Sequence, residues 1–195
     1  NINFVNNPSN TRAAYWRKRV QLVSFRVTHG GAHFVAIGVD GVTLNSVNGD
    51  DWVPQSISSN YSLFDIAYGN GQFVAVGGTD VYDHDGVILV SKHGVNWVQQ
   101  HINDLSFIPV QVVYGHGQFV IVGVDGQLFR SADTVHWHKT GDVANLALEM
   151  GAIAYGNNRF FSVGRYWRGS NCLHGRVMKK NSICDEHDGV IILTS

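Results

Sequence analysis

Two short runs hold the side chains best suited to binding a cation. Asp83-His84 and Glu186-His187 each stand directly before an Asp-Gly pair, Asp85-Gly86 and Asp188-Gly189. Carboxylate oxygens mixed with imidazole nitrogens suit a divalent metal or a polar ligand. The plain alternative is that these aspartates are turn formers and the histidines solvated loop residues. Neither His84 nor His187 belongs to a His-x-x-x-His spacing, and the chain has no Cys-x-x-Cys to add to the metal reading. A second group of residues suits a sugar. Tyr166, Trp167, Arg168, Asn171 and His174 crowd one stretch, where an exposed indole could stack on a pyranose ring while its neighbours bond the hydroxyls. The alternative is a loop that folds Trp167 inward. Cys172 and Cys184, the two cysteines of the chain, lie in the same stretch. As a disulfide they would pin it, contributing about 3 kcal/mol by loop entropy, and would imply an oxidising compartment. As thiols they would imply the reverse.

The elements that must position these residues repeat along the chain. Four segments align without gaps: Phe34-Val35-Ala36-Ile37-Gly38, Phe73-Val74-Ala75-Val76-Gly77, Phe119-Val120-Ile121-Val122-Gly123 and Phe160-Phe161-Ser162-Val163-Gly164. Before each lies an apolar stretch ending in a turn: Val27-Thr28-His29-Gly30, Ile66-Ala67-Tyr68-Gly69, Val112-Val113-Tyr114-Gly115 and Ile153-Ala154-Tyr155-Gly156. After each comes Asp-Gly and a third stretch. The tryptophans Trp16, Trp52, Trp97 and Trp137 recur at about 40 residues. Short strands at that period are the pattern of β-propeller blades. A lone four-stranded sheet cannot bury both faces, so neighbouring blades must bury each other's. In the second unit the strands are expected at 64–68, 72–77 and 87–91, with the fourth from Trp97 onward. Gly69, Gly71 and Gly86 are expected to supply positive φ in hairpins. Only 142–150 has any helical character.

The expected fold is therefore all-β, a propeller of about four four-stranded blades, either a closed ring or part of a larger one. Residues 1–195 form one domain, with units near 20–52, 53–97, 98–137 and 138–195. Residues 1–19 could close the ring, or begin a further unit of a longer array, in which case such pieces could self-associate. The aligned residues Arg26, Asp65, Gln111 and Ala152 fall where first strands begin, near the axis. Arg26 and Asp65 are candidates for ligand binding at the channel mouth; an ordered water cluster is the structural alternative.

The turns Ser46-Val47-Asn48-Gly49-Asp50-Asp51-Trp52, Ser91-Lys92-His93-Gly94-Val95-Asn96-Trp97 and Ser131-Ala132-Asp133-Thr134-Val135-His136-Trp137 resemble the Asp-box (BNR, sialidase-like) repeat, one residue shortened. Asp stands at the box position in the third turn only, with Asn48 and His93 in the others. The resemblance implies a propeller whose box is a structural turn on the outer rim. There the Ser and Asp side chains would bond backbone amides and the Trp would pack between strands. It also raises a sialidase-like hydrolase. That chemistry needs an arginine triad on the substrate carboxylate, whereas Arg26, Arg130 and Arg159 fall on a first, a third and a second strand.

Composition narrows the partners. Fourteen Lys+Arg against fifteen Asp+Glu leave a net charge of -1, which gives no electrostatic footprint for nucleic acid. No apolar run approaches the roughly 20 residues of a membrane helix, so no membrane insertion is expected. Position 1 is Asn rather than Met, as expected of a processed or truncated chain. The function that fits these residues is a non-enzymatic, secreted or surface (or periplasmic) binding module for a glycan, with no cofactor beyond a possible divalent metal. The alternatives are a protein-interaction scaffold within a larger toxin, adhesin or assembly factor, and the glycoside hydrolase.

Overall fold

The structure is a computed structural model that describes residues 26–57, 61–79, 86–100, 108–124, 126–142, 148–166 and 190–194. Alternation and turn chemistry build four antiparallel meanders. The first comprises β1 (Arg26–Gly30), β2 (His33–Ile37), β3 (Val42–Ser46) and β4 (Val53–Ser56). The second comprises β5 (Ser62–Gly69), β6 (Gln72–Gly78), β7 (Gly86–Ser91) and β8 (Val98–Gln100). The third is β9 (Pro109–Gly115), β10 (Gln118–Gly123), β11 (Gln127–Ser131) and β12 (His138–Asp142). The fourth holds β13 (Leu148–Gly156), β14 (Arg159–Tyr166) and β15 (Val190–Thr194). Each sheet runs in sequence order, so every strand pairs with its chain neighbour. The first strands of successive sheets lie against one another, β1 on β5, β5 on β9 and β9 on β13. These are the blades of a β-propeller.

The packing follows from the two-residue period of a strand. In β6, Phe73 and Ala75 point toward the first blade, while Val74 and Val76 point toward the third. In β7, Val87 and Leu89 join the first set, and Ile88 and Val90 the second. An unbroken apolar run thus feeds two cores. One adds Val35, Ile37, Leu63 and Ile66; the other adds Val112, Phe119, Ile121 and Phe129. A sheet buried on both faces needs such a run rather than apolar-polar alternation.

Two expectations need correcting. The segment 142–150 is not helical where it is described: Asp142 ends β12, and Leu148, Glu149 and Met150 pair with Tyr166, Arg165 and Gly164. Ladder bonds to β14 override a weak local preference. Gly71 does supply positive φ, at 73° beside Asn70 at 47°, and closes the β5–β6 hairpin. Gly69 does not. Its backbone is not left-handed; a Cβ there would run into the ring of Tyr114 from the third blade. Its smallness serves a contact between blades. Residues 1–25, where the ring-closing segment was expected, lie outside the described residues.

Candidate functional site

The residues at the start of the first strands form a relay between blades. A bulge precedes three of them, at 64, 110 and 151, where the register of β5, β9 and β13 slips against its neighbour. Bulges re-aim the next side chain. Asp65 Oδ2 accepts from the amide of Val112 in the third blade at 3.0 Å, and Gln111 Oε1 accepts from the amide of Ile153 in the fourth at 2.6 Å. Burial pushes the Asp65 carboxyl above its ordinary range, opposed by the amides of Val112 and Ile66 and by the charge of Arg26. A carboxylate in that setting keeps its charge by accepting N–H bonds. Arg26 opens β1 and is exposed.

The turns linking third to fourth strands sit at the far edge of each blade. Ser46 Oγ accepts from the amide of Gly49 at 2.9 Å, Ser91 Oγ from Gly94 at 2.9 Å and Ser131 Oγ from Thr134 at 2.9 Å. Asn48 Oδ1 takes the amides of Asp50 and Asp51, and Asp133 Oδ1 those of Val135 and His136. Trp52 Nε1 donates to the Gly49 carbonyl and Trp137 Nε1 to that of Thr134. Between the second and third turns opens a cavity of about 550 Å³. Val98 and Gln100 of β8 form one wall; His93 and Val95 form the rim, with Asp133 and Val135 opposite. Val95, Val98 and Val135 are exposed. β8 is the last strand of its sheet, and its alternate residues Val98 and Gln100 line this groove; an end strand can take an added strand.

A connection between blades is bonded on the opposite side. Gly38 accepts from Leu63 through its carbonyl at 3.1 Å, Gly41 donates to the Tyr61 carbonyl at 2.7 Å, and Val124 donates to that of Ile108 at 3.0 Å. The turns after β2 and β10 thus neighbour a link between blades, on the loop face where the binding residues were expected. Of those, Tyr166 ends β14. Trp167, Arg168, Asn171 and His174 lie outside the described residues, as do Asp83, His84, Glu186 and His187 and both Cys172 and Cys184. Among the described residues no three His, Cys, Asp or Glu side chains converge as a metal cage, and no helix is long and apolar enough to cross a membrane. The groove escaped the sequence reading. Its only signal was a valine four residues after the serine in the second and third turns, Val95 and Val135, where the first turn has Asp50.

No family model and no curated protein matches the chain. Solved structures do. YCF48 from Cyanidioschyzon merolae is 16% identical, with a TM-score of 0.56 over 76% of this chain and 54% of that one. A YCF48 bound to D1 peptide gives 14% and 0.53, over 73% and 50%. The virginiamycin B lyase of Staphylococcus aureus gives 10% and 0.58, over 70% and 47%. The xyloglucan-locus protein GH43B of Bacteroides ovatus gives 10% and 0.50, over 73% and 35%. At these identities the likeness is one of fold: the chain has the β-propeller architecture. It spans about half the length of the first three structures.

Proposed function

We propose that the chain is a non-enzymatic β-propeller binding module whose ligand is a protein segment, laid in extended form along β8. The observation that carries this reading is the groove of about 550 Å³ lined by Val98 and Gln100 of β8, an end strand of its sheet, and by the turn of the next blade. An extended segment would bond the backbone edge of β8 and place apolar residues, two apart, against Val95, Val98 and Val135. Lys92, His93 and Asp133 at the rim would set its polarity and orientation. One structural neighbour holds a peptide, which supports a protein ligand for this architecture. Peptides displayed as a random library should enrich on the chain with apolar residues at alternate positions. Val98→Glu with Val135→Glu should cut that enrichment about tenfold or more. Equal enrichment on the double variant would remove the groove from the account.

A glycan is the second reading. It rests on Tyr166, Trp167, Arg168, Asn171 and His174 in the long fourth-blade segment, whose residue types suit a sugar. The secreted or surface placement rests on a Cys172–Cys184 disulfide, and the divalent metal on Asp83, His84, Glu186 and His187. Array binding to sugars that disappears with Trp167→Ala would favour this reading over the groove.

A further inference from the structure

The described interfaces between blades share one contact, and two further contacts recur in two of the three. An aromatic ring in the first strand of one blade covers a glycine in the first strand of the blade before it: Tyr68 over Gly30, Tyr114 over Gly69 and Tyr155 over Gly115. An apolar residue two positions before that ring is buried, Ile66 at 7% exposure and Val112 at 5%. In two of the three interfaces a side-chain acceptor holds the next blade's amide, as Asp65 holds Val112 and Gln111 holds Ile153.

The two end blades hold unmatched halves of this arrangement. In the fourth, Gly156 is exposed, and nothing among the described residues lies where its Cβ would point. In the first, Val27 stands where Ile66 and Val112 stand, yet it is 57% exposed. His29 occupies the tyrosine position. It rests on Phe34 with ring centroids 4.3 Å apart, as Tyr68 rests on Phe73 at 4.7 Å and Tyr114 on Phe119 at 4.8 Å. His29 is therefore held like the tyrosines, with no glycine beneath it among the described residues. Among the described residues, the first strands of the first and fourth blades are not packed on each other as those of successive blades are.

We propose that these faces are one interface divided between two copies of this chain, with His29 and Val27 of one copy seated on Gly156 of the other. A head-to-tail contact that closes after two copies leaves no end exposed. The occupant is a second copy because the face it must offer is a first strand carrying an aromatic and an apolar residue two positions apart, and β1 offers it.

Native mass spectrometry over a dilution series tests this. The chain should be a dimer. Gly156→Phe and Val27→Lys should each be monomeric, with unchanged circular dichroism and cooperative melting. The Gly156 backbone is not left-handed, and Val27 is exposed, so both changes spare the fold. An equimolar mixture of the two variants keeps one of the two interfaces intact and should form a weaker dimer. His29→Tyr should tighten the parent dimer about threefold to tenfold, and it carries the test should Gly156→Phe fail to fold. A chain monomeric at every concentration, or variants that dimerise like the parent, overturns the proposal.

Discussion

The turns at 91–97 and 131–137 start and finish with the same residues, Ser and Trp, and both border the groove, yet they are held differently. In the third-blade turn, Asp133 gathers two amides and the ring of His136 at 2.7 Å, and Trp137 reaches a carbonyl. In the second-blade turn, His93 stands in that position. Ser91 holds Gly94, and Asn45 of the first blade donates to the His93 carbonyl at 2.5 Å. The buried Trp97 Nε1 has no partner among the described residues. Both turns are also tied to the blade before, since Asn70 Nδ2 donates to the Ala132 carbonyl and Thr134 Oγ1 to Gln72 Oε1; what the second-blade turn lacks is the inner set of bonds that Asp133 makes. With no carboxylate bound to the turn's own amides, the box position holds His93, which is exposed on the groove rim.

The largest expected break in this comparison comes from the serines. Ser91→Ala leaves the buried Gly94 amide unpaired in a turn with no box carboxylate, and should cost about 2 kcal/mol. Ser131→Ala should cost about 1 kcal/mol, since Asp133 still shapes its turn. Urea midpoints measure both, and equal losses would mean that Asp133 adds nothing. Next comes His93→Asp, which offers the amides of Val95 and Asn96 the acceptor that Asp133 gives Val135 and His136. It should stabilise the chain by about 1 kcal/mol in the same measurement; a loss would show that this backbone is not shaped for the box. The smallest effect is with pH. The ring of His136, followed by the amides of His136 and Val135, holds the Asp133 carboxyl well below the usual carboxylate range. A lowered folded value contributes stability above the ordinary 3.8 and loses it as pH falls below. The pair is exposed and screened by salt. The urea midpoint should therefore fall only slightly on acidification through that value, and Asp133→Asn should remove that part of the fall.

Strand positions were legible because each blade needs an apolar run bounded by turns, and such a run shows in the residues themselves. Gly71 was legible for the same local reason, a hairpin φ that few residues tolerate. Gly69, Asp65 and Gln111 were not. Their roles are set by a ring or an amide 42 to 47 residues along the chain, and repetition marks such positions without saying what touches them. The helical character given to 142–150 failed because pairing with β14, not local propensity, decides 148–150. The groove was hidden because exposed valines in a turn resemble ordinary surface residues until two blades bring them together.

The tyrosine-over-glycine contact looks only to the blade before. Whole units could therefore be duplicated or deleted in the gene, and every surviving blade would still meet a neighbour of the kind it already fits.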